Sequence, residues 1–337
     1  MEYQTLGATG MTVSRMAFGA MMLGNYGNRD HDDAVRIIHA ALDGGITLVD
    51  TADVYSRGEC EEIVGRAIAG RRDDVILATK FGLPMDADPN HAGGSRRWVT
   101  RSVENSLRRL GTDYIDLYQM HRPDPKTGIE ETLSALSDLM RAGKVRAIGS
   151  STFPAELMAE AQWAAQRGGH QRFLTEQPRY SILCRVIEGA VLPTAQRYRM
   201  GTLTYSSLGS GWLSGRSDPT SGHRASGGGS KEFDLSVPAN RAKLAAVEQL
   251  TKLAADAGLP LAHLATAFVL AHPGVTSVLI GPRTMDHLET TLAGADVRLS
   301  ADILDRIDEI VAPGSEINPA DNYLTIPALA DKALRRR

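Results

Sequence analysis

Eight short apolar runs, near residues 15–19, 46–50, 74–79, 115–120, 145–149, 173–177, 201–205 and 276–280, are separated by segments with helical spacing. Runs of this length bounded by turn residues read as strands, and strands alternating with helices argue a parallel sheet. Before the second run, Ala34, Val35, Ile38, Ala41 and Leu42 recur at helical spacing; before the fifth, Leu133, Leu136, Leu139 and Met140 do the same. Gly44-Gly45 and Gly143 stand where those helices should stop. Eight strands with intervening helices close as a (β/α)8 TIM barrel, which takes about 250 residues or more as one unit. The 337 residues are therefore expected to form a single domain, 1–337. An open sheet is the alternative, but it would usually carry a glycine-rich fingerprint after the first strand, and Gly19-Ala20-Met21-Met22-Leu23-Gly24 does not match one.

Barrels of this kind build their sites at the C-terminal ends of the strands. Three runs end in polar residues: Asp50 after Ile46–Val49, Lys80 after Val75–Thr79 and His121 after Ile115–Met120, with Tyr55 in the loop after Asp50. A phenol is a weak acid, with a reference pKa of about 10. A neighbouring ammonium favours the phenolate, so Lys80 is expected to lower the pKa of Tyr55, with Asp50 holding Lys80 in place. His121 can orient a reacting oxygen. Such a set can protonate a carbonyl oxygen as hydride reaches its carbon.

The segments Asp50-Thr51-Ala52-Asp53-Val54-Tyr55, Lys80-Phe81-Gly82 and His121-Arg122-Pro123 resemble the aldo-keto reductases. The resemblance covers nearly the whole chain. Leu6 to Ser14 looks like that family's N-terminal β-hairpin, which plugs the barrel floor, and Leu110 to Leu117 like its stretch before the catalytic histidine. The resemblance implies an NADPH-dependent carbonyl reductase with Asp50, Tyr55, Lys80 and His121 as a catalytic tetrad and Tyr55 as the acid. Asp53 faces away from this set in the resemblance.

The same resemblance implies the cofactor contacts. Ser151, Thr152 and Gln177 would bond the nicotinamide carboxamide, Thr152 standing where the family usually has Asn. Tyr205 would stack on the nicotinamide ring. Backbone amides in the stretch Ser206-Ser207-Leu208-Gly209-Ser210 would hold the pyrophosphate, with Arg216 adding charge. Leu279-Ile280-Gly281-Pro282-Arg283-Thr284 opens the last helical pattern, and helix N-termini favour anions. Arg283 suits a bidentate phosphate contact, with Gly281, His287 and Thr291 beside it, which points to NADPH in preference to NADH. Residues Ser214 to Ser236, with Ser226-Gly227-Gly228-Gly229-Ser230, have flexible-loop composition and match the family's long cofactor-covering loop. Tyr26, Phe81 and Arg122 are candidates for the substrate pocket, with Trp98 and Trp212 as outer possibilities. An aryl, aliphatic or sugar-like carbonyl would fit equally.

A net charge of −3 excludes a purely electrostatic nucleic-acid role. No stretch approaches the 18 or so apolar residues of a membrane span, and the N-terminus lacks the features of a signal peptide. The two cysteines, Cys60 and Cys184, suit a reducing cytoplasm rather than a disulfide framework. No metal is expected: His91, His170, His223, His263 and His272 show no ligand spacing. The partner expected is a small-molecule carbonyl, with the oligomeric state open. Two other readings compete. One is a cofactor-binding regulatory subunit with vestigial chemistry, like the potassium-channel subunits of this fold. The other is a metal or phosphate barrel enzyme, which would need more carboxylate or histidine ligands than Asp50 and His121 provide.

Overall fold

The computed structural model describes residues 1–218, 220, 223, 230–322 and 332–334. A two-stranded antiparallel hairpin, β1 (Tyr3–Thr5) and β2 (Thr12–Ser14), precedes eight parallel strands. These are β3 (Met16–Gly19), β4 (Leu48–Asp50), β5 (Ile76–Phe81), β6 (Ile115–Met120), β7 (Val145–Ser151), β8 (Thr175–Gln177), β9 (Gly201–Thr204) and β10 (Ser277–Ile280). They close in chain order, with β10 pairing to β3. Each lies within two residues of a run read from the sequence.

Ten α-helices surround the barrel among the described residues: α1 (His31–Asp43), α2 (Glu59–Ile68), α3 (Arg96–Leu110), α4 (Ile129–Arg141), α5 (Ala155–Gly168), α6 (Val191–Arg197), α7 (Pro238–Asp256), α8 (Leu261–Ala271), α9 (Met285–Ala293) and α10 (Ala301–Ile310). Their ends follow local chemistry. Asp30 caps α1 by accepting from the amides of Asp32 and Asp33, and Ser95 caps α3 through the Trp98 amide. Helix α1 stops at Gly44 as the sequence suggests, and α4 buries Leu133, Leu136 and Leu139 on one face. No single helix among the described residues is long and apolar enough to cross a membrane.

Apolar packing falls into two bodies. The larger lies between barrel and helices; the smaller fills the barrel floor with Leu6, Val13, Ala17, Leu48, Ala78, Leu117, Ala147, Leu203 and Leu279. Leu6 and Val13 come from the hairpin, which therefore acts as a plug. Gly7 sits at φ 55° so close to the barrel that an added Cβ would lie 2.2 Å from the Gly201 nitrogen, so only glycine lets the plug seat.

The long loop after β9 is partly described. Phe233 stacks on Trp212 at 5.3 Å, and His223 Nε2 donates to the Tyr26 carbonyl at 2.9 Å. Its glycine run, residues 224–229, lies outside the described residues, as do Leu329 and the terminal arginines 335–337.

Candidate active site

Successive strand side chains alternate between the two faces of a sheet. Here one face supplies the floor and then, one layer higher, the site. Leu48 is followed inward by Asp50, Ala78 by Lys80, and Leu117 by Gln119 with His121 just past the strand end. Asp50 pairs in register with Ala78, and Lys80 with Gln119, so these polar groups converge in one layer.

Lys80 Nζ donates to Asp50 Oδ2 at 2.5 Å and to the Thr51 carbonyl at 2.8 Å, and lies 3.3 Å from the Tyr55 hydroxyl. The other Asp50 oxygen accepts from Gln177 Nε2 at 2.9 Å and Gln119 Nε2 at 3.1 Å. Lys80 and Asp50 are almost wholly buried. A buried ion pair is tolerated only when its remaining donors and acceptors are satisfied, and these amides and the carbonyl satisfy them. The His121 ring meets Tyr55 edge-on, with centroids 5.7 Å apart. Its Nδ1 is buried without a partner among the described residues.

The electrostatics correct one expectation. Burial raises the pKa of Tyr55 above its ordinary value; the Lys80 charge lowers it but does not win, and Asp50 raises it further. Tyr55 thus keeps its proton at neutral pH, the form a proton donor requires. Burial also acts to lower the Lys80 pKa, but Asp50 and Tyr55 outweigh it and hold Lys80 charged. His121 is pushed well below the usual histidine range by burial, then by Lys80 and Arg122, so its ring is neutral.

Behind this layer the outward face carries a second polar group. Asp53 is buried, its amide donates to the Lys80 carbonyl at 3.2 Å, and its carboxylate accepts from Ser102 at 3.0 Å. Glu61 accepts from Thr79 at 2.6 Å and from Arg109 Nε at 2.7 Å. Burial, then Glu61, pushes the Asp53 pKa up to about 7. Glu176, outward on β8, accepts from Ser150 at 2.5 Å and from the Phe153 amide at 3.1 Å, and burial pushes it up to about 7 too. These bonds brace the turn that carries Thr152 at φ 57°.

The expected cofactor residues occupy the other side of the mouth. Ser151 Oγ donates to the Gln177 carbonyl at 2.9 Å, and Thr152 Oγ1 lies 3.2 Å from the Tyr205 hydroxyl. Tyr205 is half-buried at the barrel end. Ser206 and Ser210 adopt φ of 61° and 62° in a tight turn, in which the carbonyls of Ser206 and Leu208 accept from Gly209 and Gly211. Ser210 Oγ accepts from Arg179 at 3.2 Å. Gly281 is exposed ahead of α9, and Thr284 caps that helix through the His287 amide. Burial and the charges of Arg283 and Arg216 lower the His287 pKa, so these three groups lie together at one helix N-terminus. Such a cationic cluster beside left-handed turns fits a phosphate-bearing nucleotide. Thr291 contributes less than expected: its hydroxyl donates to the His287 carbonyl at 2.7 Å, within the helix.

The substrate candidates separate. Tyr26, half-exposed, lines a cleft of about 360 Å³ with Met21, Asn25, Val54, Tyr55, Ser56 and Arg57. Arg122 sits at the mouth, its Nη1 donating to the His121 carbonyl at 2.6 Å. Phe81 does not reach the cleft. It follows the inward Lys80, so strand alternation turns it outward, where it is fully buried and stacks on Tyr118 at 4.7 Å. Trp98 and Trp212 are likewise buried, against His91 and Phe233. Two residues were missed in the sequence reading. Gln119 was readable, since it stands two positions before His121 and so shares its face. Arg57 was not, because its place depends on the backbone of its turn.

Residues 15–312 match the family model described as the Aldo/keto reductase family. Aldo-keto reductase YhdN of Bacillus subtilis (strain 168) is 41% identical over 86% of this chain and 87% of its own length. Uncharacterized oxidoreductase YrpG of the same organism is 38% identical, over 94% and 98%. A probable voltage-gated potassium channel subunit beta of Arabidopsis thaliana is 32% identical, over 92% and 97%.

Proposed function

We propose, from the premise that this chain belongs to the aldo/keto reductase family and is an oxidoreductase, that it reduces an aldehyde or ketone to an alcohol with NADPH. The observation that carries the reading is the single buried layer in which Lys80, fixed by Asp50, lies 3.3 Å from a Tyr55 that keeps its proton. The nicotinamide cofactor supplies hydride when bound. Ser151, Thr152 and Gln177 would hold its carboxamide, Tyr205 its ring face, the Ser206–Ser210 turn its pyrophosphate, and Arg216, Arg283 and His287 its 2′-phosphate. Gly281 and Thr291 border that last group.

Tyr55 gives its proton to the carbonyl oxygen, and neutral His121 hydrogen-bonds the same oxygen and orients it. Lys80 stabilises the phenolate left behind, and the Asp50–Gln119–Gln177 network keeps Lys80 from moving. Burial excludes water from this corner and strengthens each of these interactions. In the cell we place the activity in the cytoplasm, on a small-molecule carbonyl, with no nucleic-acid, membrane or metal role.

A second reading is a nucleotide-binding regulatory subunit, favoured by the similarity to a potassium channel subunit beta. Quenching of tryptophan fluorescence by NADPH and by NADH, followed by NADPH oxidation with a panel of aldehydes and ketones, separates the two. Turnover with preference for NADPH is expected. Tight binding without turnover across the panel moves the case to the regulatory reading; binding of neither nucleotide ends both.

A further inference from the structure

The residues after the catalytic tyrosine have an unusual backbone. Ser56 (φ 47°), Arg57 (φ 58°) and Gly58 (φ 99°) are consecutive left-handed residues. That conformation costs roughly 1–2 kcal/mol for each residue other than glycine. It persists only where the surroundings enforce it. Here they do. Ser56 Oγ donates to the Leu23 carbonyl at 3.3 Å and accepts from the Tyr26 amide at 3.2 Å. At Gly58 an added Cβ would lie 2.7 Å from Arg109 Cδ, so α3 packs directly against the turn.

The result of this strained turn is the position of Arg57. Its side chain is exposed and lines the same cleft as Tyr55 and Tyr26. Among the described residues its guanidinium has no hydrogen-bond or ion-pair partner. The nearest acid in sequence, Glu59, is committed elsewhere: Oε2 accepts from the Asn25 amide at 2.8 Å and Oε1 faces His31 Nε2 at 2.7 Å. Arg57 also borders a second cleft of about 180 Å³, but its acids Asp53 and Asp86 are bonded to Ser102 and His91.

Among the described residues, no acid lines the cleft beside Tyr55. On the other flank of Tyr55, Arg122 gives one N–H to the His121 carbonyl and forms no carboxylate pair among the described residues, while its charge acts on both Tyr55 and His121. The Lys80 charge is already balanced by Asp50. The mouth therefore carries spare positive charge that a neutral carbonyl does not use. A guanidinium presents a planar fork of donors that matches a carboxylate. We infer that the site selects aldehydes or ketones that also bear a carboxylate, with Arg57 taking the carboxylate while the carbonyl oxygen sits at Tyr55. This rests on the carbonyl-reductase reading above.

The test compares 4-carboxybenzaldehyde with 4-methylbenzaldehyde, similar in shape and differing in charge, at low ionic strength, where exposed charges are least screened. Wild-type enzyme with NADPH is expected to favour the carboxylate by at least about tenfold in kcat/KM, mainly through KM, as a charge-assisted hydrogen bond allows. In Arg57→Asn, a residue that tolerates the left-handed turn, that ratio should fall to within about twofold of one. Arg57→Lys should keep part of it. Calorimetric binding of the matching alcohols, 4-carboxybenzyl and 4-methylbenzyl alcohol, gives a readout that needs no turnover. Tighter binding of the carboxylate that is lost in Arg57→Asn supports Arg57 as the carboxylate contact even if neither aldehyde is reduced, in which case the failure belongs to the reductase reading. Reduction of both aldehydes with no carboxylate preference, or a preference unchanged in Arg57→Asn, overturns the inference and leaves the reductase reading standing.

Discussion

The two sides of the barrel mouth are built on opposite terms. On the β4–β6 side, Asp50, Lys80 and Gln119 are buried and bonded together, with Gln177 reaching Asp50 from β8, so this corner is assembled before any ligand arrives. On the β9–β10 side, Arg216 is exposed and Arg283 half-exposed, and each acts on His287 rather than on a carboxylate. Chemistry gains from fixed geometry, since a donor already in place needs no reorganisation during the reaction. Binding of a polyanion gains from charge left unpaired, since no internal ion pair must break first. The contrast teaches that breaking the buried ion-pair network on the first side should disturb both stability and rate, and damage on the second should disturb affinity alone.

The sharpest test of that contrast sits inside the buried corner. Tyr55→Phe removes one hydroxyl whose only hydrogen bond among the described residues is the 3.3 Å contact with Lys80. It should lose about 10²–10⁴ in kcat with little change in melting temperature or nucleotide affinity. Lys80→Met should lose activity as severely and also melt earlier. It leaves Asp50 buried without its cation, and breaking a buried pair typically costs about 3–5 kcal/mol. Steady-state rates and thermal melts on the two variants check this. If Lys80→Met melts at the wild-type temperature, the corner is not held by its ion pair, and the two sides of the mouth do not differ in what stabilises them.

The β9–β10 side gives a smaller effect of a different kind. Arg283→Ala should weaken NADPH binding by about tenfold or more, the loss of one charge-assisted contact, while NADH binding stays within about twofold. The melting temperature without nucleotide should hardly move, because Arg283 is half-exposed and makes no internal ion pair among the described residues. Fluorescence titrations with the two nucleotides decide it. Equal weakening for both would detach Arg283 from the 2′-phosphate.

How much of this was readable in the sequence divides along the same line. The strands and the meeting of Asp50, Lys80 and His121 could be read because strand alternation is a local rule: a residue at a strand end, in phase with apolar floor residues, must face inward; Tyr55, in the loop after Asp50, was readable only from the motif it belongs to. The same rule places Gln119 inside and Phe81 outside. The state of Tyr55 was not readable. It depends on a balance of burial against the Lys80 charge, and burial is a property of the whole fold. Arg57 was hidden for a related reason: only three left-handed residues in a row, enforced by Leu23, Tyr26 and Arg109, turn it toward the cleft.

The subtlest expected effect, a change of slope with pH rather than of level, concerns the opposition built into the buried corner. Asp53 stands directly behind Lys80, and burial next to Glu61 raises its pKa from an ordinary carboxylate value to about 7. In the unfolded chain it ionises near 4, while in the fold it keeps its proton up to about pH 7. Between those values the folded state binds the extra proton, so this group's contribution to stability falls as pH rises from about 4 to about 7 and is level above that. Asp53→Asn keeps an acceptor for Ser102 and removes the titration. Compared with wild type, it should therefore melt relatively higher at pH 8 than at pH 5, by at most about 3 kcal/mol in stability, since about two pH units of the shift lie between those values. Glu176 shifts in the same direction, so the variant should flatten the wild-type decline without abolishing it. Thermal melts of both proteins at the two pH values read the difference directly. Parallel pH curves would mean that Asp53 is ionised in the fold at pH 5 as well, with Arg109 and Ser102 outweighing burial, and that the layer behind the tetrad is held without this internal opposition.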